Sequence, residues 1–192
     1  MLDIYIKIYD LLNFRIFILS ALLFFTGYAL APTAHFKKIK WLTAYPFFIL
    51  NLMDKYFKFN WSPLKIFMVV FLLNNFSLFL NLLSGWGIIA PFLLIIYLGI
   101  NVGIIMYQSL QGHFYYFSLL NPVAMLELPA AWISITMAIQ FSMKNFFGAG
   151  FIQQVTFTQY IQYYLFTVPP LLFFAGIIET YLIIVARRKD RE

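Results

Sequence analysis

The chain has no cysteine and only two histidines among its 192 residues. Without thiols it can form no disulfide, thiolate nucleophile or Cys-ligated metal centre. His35 and His113 lie far apart in sequence and read as residues of two different loops, which argues against a histidine-based metal site. Charge is equally scarce, at 10% of the residues, where soluble domains carry about 25%. What fills the space is apolar: 63% of the chain is hydrophobic and the mean hydropathy is +0.85. A soluble protein of this size could not hide so much apolar surface, and disorder needs the opposite composition. The numbers describe an integral membrane protein, with no metal or other cofactor expected.

The net charge of +6 does not point to nucleic acid. Lysines and arginines gather at the ends of apolar segments, the pattern of a membrane topology signal and not of a binding groove.

The apolar runs predict an all-α, polytopic helix bundle, one integral membrane domain over residues 1–192. Five stretches are long enough to cross a hydrocarbon core of about 30 Å at about 1.5 Å per residue: 14–32, 62–84, 88–107, 122–143 and 164–186. Ala29-Leu30-Ala31 imitates a signal-peptidase site, but Pro32 follows it and Asp3 and Asp10 precede the run. The first span therefore reads as a retained helix. Two shorter segments suit the membrane interface. Residues 1–13 set Asp3, Lys7, Asp10 and Asn13 at helical spacing beside Ile4, Ile8 and Leu11, an amphipathic pattern. Residues 41–53 form an apolar run flanked by lysines and interrupted by Pro46, read as interfacial or re-entrant. The longest connection has about 30 residues, so no soluble domain is expected.

Five spans put the loop after the first span and the C-terminal tail on one side. That side holds ten basic residues (six from Lys37 to Lys65, four from Arg187 to Arg191), against three elsewhere. The positive-inside rule then predicts a multi-pass protein of the plasma (cell) membrane with an outside N-terminus and a cytoplasmic C-terminus.

Polar residues inside the spans are costly unless they face protein or water. Asn74, Ser77, Asn81 and Ser84 recur at spacings of 3, 4 and 3, one face of the second span, with Asn75 beside it. Ala124, Glu127, Ala131, Ser134 and Ala138 make a similar seam in the fourth. Gly99 and Gly103 form a G-x-x-x-G pair, and Gly176 lies one turn before Glu179. Glycines of this kind bring backbones together and amides bond across helices, so packing explains most of these residues. The two glutamates ask for more. Both are expected to point into the bundle, held by hydrogen bonds to amides such as those of the second span, and either a structural or a pathway role fits them. Asn121 is placed to cap the fourth helix with Pro122 in its first turn. Pro129 removes the hydrogen bond to the Met125 carbonyl, predicting a helix broken beside Glu127.

Pro122-Val123-Ala124-Met125-Leu126-Glu127-Leu128-Pro129-Ala130 resembles the P-H-G-x-x-E-x-P-A signature of the stage II sporulation protein M family. Asn74-Asn75 in a preceding helix, the glycine-bearing third span and Ile177-Ile178-Glu179-Thr180-Tyr181 follow that family's order, over roughly residues 62–184. The histidine that many members carry four residues before the glutamate is Val123 here, and the next glycine is Ala124, so His–Glu proton chemistry cannot be carried over. The resemblance implies an all-helical membrane protein without recognised enzymatic activity; in spore-forming bacteria the family's named member anchors peptidoglycan-degrading partners in an engulfment complex.

No G-x-x-x-x-G-K-[ST], H-E-x-x-H or G-x-S-x-G motif occurs, and no span holds an aspartate pair or a Ser–His pair for intramembrane proteolysis. The expected function is a non-enzymatic scaffold that anchors other membrane or envelope proteins. The alternative is a small transporter or lipid or solute translocator using Glu127 and Glu179. Partners would be membrane lipids, such proteins, and a second copy of the chain if it forms a homodimer.

Overall fold

A computed structural model describes residues 12–58, 61–148 and 155–189. Residues 1–11, most of the expected N-terminal interfacial helix, lie outside the described residues. The described residues contain no strand. The helices are α1 (Phe14–Phe36), α2 (Lys40–Lys58), α3 (Pro63–Leu83), α4 (Ala90–Ser109), α5 (Ala124–Phe147) and α6 (Phe157–Lys189), with 3-10 turns at Ser84–Trp86 and Tyr115–Leu120. All but α2 are long and apolar enough to cross a membrane, and the fold is that of a multi-pass helix bundle.

Local chemistry fixes the helix ends. Asn13 is not the last residue of an interfacial helix but the extended cap of α1, its Oδ1 accepting from the Arg15 and Ile16 amides. Asn121 caps α5 by accepting from the Ala124 amide at 2.9 Å, with Pro122 next in line where its missing N–H is no loss. Gly148, left-handed at φ 57°, ends α5.

Several expectations need correction. α1 runs four residues past Pro32, so His35 lies in its last turn and not in a loop. α2 is a 19-residue helix that continues through Pro46. α4 begins at Ala90 because Ser84–Trp86 tightens into a 3-10 turn and Pro91 sits in the helix's first positions. α6 begins at Phe157, well before Tyr164. Thr156 and Gln159 form a capping box, with the Thr156 amide on Gln159 Oε1 and the Gln159 amide on Thr156 Oγ1. Its 33 residues span about 50 Å, longer than the hydrocarbon core. Pro129 does not break α5, which is helical from Ala124 to Phe147. Only one hydrogen bond is forfeited there, and the buried Ala130 and Ala131 hold the next turn against its neighbours.

Packing is uneven. α1 and α4 make the most extensive helix pair, because glycines let their backbones touch. A Cβ on Gly99 would run into the Phe24 carbonyl oxygen, and one on Gly27 into the Ile96 carbonyl oxygen. α5 is the most buried span; Ser134 Oγ donates to the Leu78 carbonyl of α3, and Ser20 of α1 bonds Thr136. Gly176 is different: its nearest neighbour is the Phe67 ring, so it makes room for a side chain.

At the end where α1 meets α2, Tyr28 and Tyr115 are stacked 4.4 Å apart, and each hydroxyl donates to the other residue's carbonyl. Burial pushes the Tyr115 phenol above its ordinary pKa. Tyr107 touches His35, Phe36 and Tyr115, tying the 110–123 loop to the end of α1. Phe36, Trp41, Phe114, Tyr116, Phe117 and Leu120 are all exposed at this end, forming an aromatic collar.

Candidate functional site: a cavity among the spans

α4 is drawn to α1 by its glycines, while α3 packs on α5 and α6 and scarcely touches α4. The gap is a cavity of about 550 Å3, walled by α2, α3, α4 and α6 with Glu127 reaching in from α5. Its sides are apolar, including Val69, Val70, Leu98, Val102, Ile105 and Ile183. Its polar groups are Asn74, Ser77, Asn101, Glu127 and Glu179, with Trp61 and Arg187 toward the collar. A smaller void of about 120 Å3 shares Asn74, Ser77 and Glu127 and extends toward Phe24 and Leu172.

Glu127 is held from both sides of its position. The Asn121 cap and Pro122 start α5 just before it, so its carboxyl stands close to the positive end of the helix dipole. Asn74 Nδ2 donates to Glu127 Oε1 at 2.5 Å. This is the only hydrogen bond Glu127 makes through its side chain among the described residues. Glu179 half-emerges on α6 and shares a face with Ile183 and Arg187 through four-residue spacing. Arg187 Nη1 donates to the Trp61 carbonyl at 3.2 Å, which joins the end of α6 to the start of α3.

The asparagine stripe does not act as one surface. Asn74 and Ser77 face the cavity. Asn75 turns back, its Nδ2 donating to the Phe71 carbonyl, while its own carbonyl accepts from Tyr164 Oη. Asn81 is buried away from the cavity, and its Nδ2 has no hydrogen-bond partner among the described residues. Gly99 and Gly103 face α1 and the Tyr115 hydroxyl; Pro129 and Pro122 shape the start of α5 without lining the cavity.

Asn101 escaped the sequence reading. It stands between Gly99 and Gly103, where the glycine pair suggested packing, yet two residues along a helix is a turn of about 200°. The glycines point to α1, and Asn101 therefore points away from it, into the cavity. Its buried Oδ1 has no hydrogen-bond partner among the described residues. Gly27 and the cavity position of Arg187 were missed as well. A lone glycine in an apolar run carries no periodic signal, and Arg187 counts in sequence only as a topology charge. Among the described residues, no three His, Asp or Glu side chains gather as metal ligands would.

The chain matches the family described as stage II sporulation protein M over residues 14–182. The match takes in α1 through most of α6, includes Asn74, Asn101, Glu127 and Glu179, and stops before Ile183 and Arg187. No curated protein and no solved structure is matched. The chain belongs to the stage II sporulation protein M family, which is not a known family of enzymes.

Proposed function

We propose that this family member is a non-enzymatic scaffold of the plasma membrane, its C-terminus cytoplasmic, that anchors other membrane or envelope proteins. The observation that carries this reading is the collar. Six large apolar side chains from the end of α1, the start of α2 and the 110–123 loop stand exposed together at one end. Contiguous apolar surface of that kind marks a protein or membrane contact, and aromatic residues dominate such contacts. The basic residues near α2 support a cytoplasmic location for the same end. Affinity purification from native membranes in mild detergent tests this. Partner proteins are expected with the wild-type chain and are lost with Phe114→Ser/Phe117→Ser, while the bundle still runs as a monodisperse species. A chain that purifies alone under every mild condition sinks the scaffold.

The cavity supports a second reading, transport of a lipid or small solute. Polar groups within the spans beside an open space are the usual setting of intramembrane binding sites. In liposomes, translocation abolished by Glu127→Gln would support it, and no movement with the wild-type chain counts against it.

A further inference from the structure

Three polar groups of the cavity, apart from the donors Asn74, Trp61 and Arg187, share a chemical bias. Glu127 keeps one carboxyl oxygen clear of its bond to Asn74. The Glu179 carboxyl has no hydrogen bond and no ion pair among the described residues. Asn101 is only 5% exposed and its Oδ1 accepts no hydrogen bond among the described residues. All three are acceptors, and two are carboxyls with no cation paired to them among the described residues. Around them the wall is aliphatic, and Leu73, Phe76 and Leu80 on the α3 side are exposed to the surroundings of the bundle. The volume, about 550 Å3, falls within the range of small-molecule sites, about 300–1,000 Å3.

We infer that the cavity is a binding site for an amphiphile whose polar end is a primary ammonium. The N–H donors of that group satisfy Glu127, Glu179 and Asn101 together, since an ammonium carries three donors and no acceptor. Its positive charge offsets that of the carboxylates in a region of low dielectric, where a charge-assisted bond is strongest. The apolar body lies along Val69, Leu98, Val102 and Ile105. An alcohol supplies one donor and no charge; a carboxylate supplies none and repels. The inference rests on the cavity alone and stands whether or not the collar holds partners. An aminophospholipid headgroup and a free hydrophobic amine share this chemistry.

Native mass spectrometry of the full chain in phosphatidylcholine nanodiscs decides it, using dodecylammonium, dodecanol and dodecanoate as probes with one apolar body. One dodecylammonium per chain is expected, at an affinity at least about tenfold above dodecanol, the equivalent of one good charge-assisted contact. Dodecanoate is expected not to bind. Glu127→Gln/Glu179→Gln keeps the acceptor for Asn74, removes both charges, and lowers dodecylammonium affinity by about tenfold or more. Should that pair fail to fold, Ile105→Trp fills the cavity from α4 without touching the carboxyls and removes the adduct. Competition by phosphatidylethanolamine in the nanodisc assigns the site to a lipid headgroup, and indifference to it assigns the site to a free amine. Equal binding of the three probes, no adduct on the wild-type chain, or an adduct that survives both variants overturns the inference. So does finding the cavity filled instead by a basic side chain of a co-purifying protein.

Discussion

α3 and α4 leave opposite ends of one short turn, yet they build two different kinds of interface. α4 turns Gly99 and Gly103 toward α1, and the two backbones come so close that a single methyl group would strike a carbonyl oxygen. α3 carries amides and a serine where α4 carries glycines. It meets α5 and α6 through hydrogen bonds, from Ser134 to Leu78, from Asn74 to Glu127 and from Tyr164 to Asn75. Without an aqueous phase to drive apolar surfaces together, helices in lipid associate through close packing and through interhelical hydrogen bonds. Here the two devices are segregated. The glycine side is closed and makes no room for anything else. The amide side fixes its helices at a few points and leaves space between them, and the intramembrane glutamates stand on that side.

The sharpest way to break this contrast is Gly99→Ala. In an ordinary helix the change is favourable by about 1 kcal/mol. On this face the new Cβ meets the Phe24 carbonyl, so α1 must move away from α4 along its length. A net loss of about 3 kcal/mol or more is expected, at the upper end of the cost of overpacking, read as a large fall in the thermal midpoint of helicity in detergent. An unchanged midpoint would show that the α1–α4 contact is not the close one described.

On the other side, Glu127→Leu removes the acceptor of Asn74 Nδ2 and leaves a half-buried amide unsatisfied. The expected cost is about 1–3 kcal/mol. Glu127→Gln keeps an acceptor at the same place, and its midpoint should stay within about 0.5 kcal/mol of wild type by the same reasoning. If Gln were as damaging as Leu, charge and not hydrogen bonding would be what holds α3 to α5.

Tyr115→Phe keeps the stack on Tyr28 and loses one hydroxyl bond, a change of about 1 kcal/mol. Its pH behaviour adds a second readout. Because burial raises the Tyr115 pKa above its ordinary 10.0, the folded state resists forming the phenolate. The corresponding stability is present in full below pH 10 and is lost as the pH climbs beyond it. The variant should lose stability less steeply than wild type in alkaline buffer, and parallel curves would remove Tyr115 as the cause.

How far the sequence reveals this arrangement depends on what kind of signal each feature carries. Hydropathy located all five spans, since the bilayer dictates their length and composition. It misplaced their ends, because Thr156 and Gln159 start α6 by a capping box and apolar content played no part there. Pro129 looked like a break because a proline in an isolated helix costs about 3 kcal/mol, whereas the packed alanines beyond it keep α5 continuous. Glu127 and Asn74 were visible as costly residues needing company. The unexpected acceptor, Asn101, was hidden by its neighbours: a glycine pair reads as one packing face, and only the angle around the helix shows that the residue between them belongs to the other. The cavity itself is a property of how unequally α3 and α4 are held, which no single helix encodes.

The mildest test repeats the first substitution on the open side. Gly176→Ala places a Cβ 3.2 Å from Cε2 of Phe67, a ring stacked on Phe71 and set edge-on to Phe173. Phe67 is half-buried near the start of α3 and can tilt outward without moving a backbone. The small contact penalty is then met by the helix-propensity gain of about 1 kcal/mol, and the midpoint should hold or rise by at most that amount. The same Gly→Ala exchange thus gives opposite signs on the two sides of the bundle, because one glycine admits a carbonyl and the other a ring. A large loss at Gly176 would mean that α6 is held to α3 as rigidly as α4 is to α1, and that the space between α3 and α4 has some other origin than uneven packing.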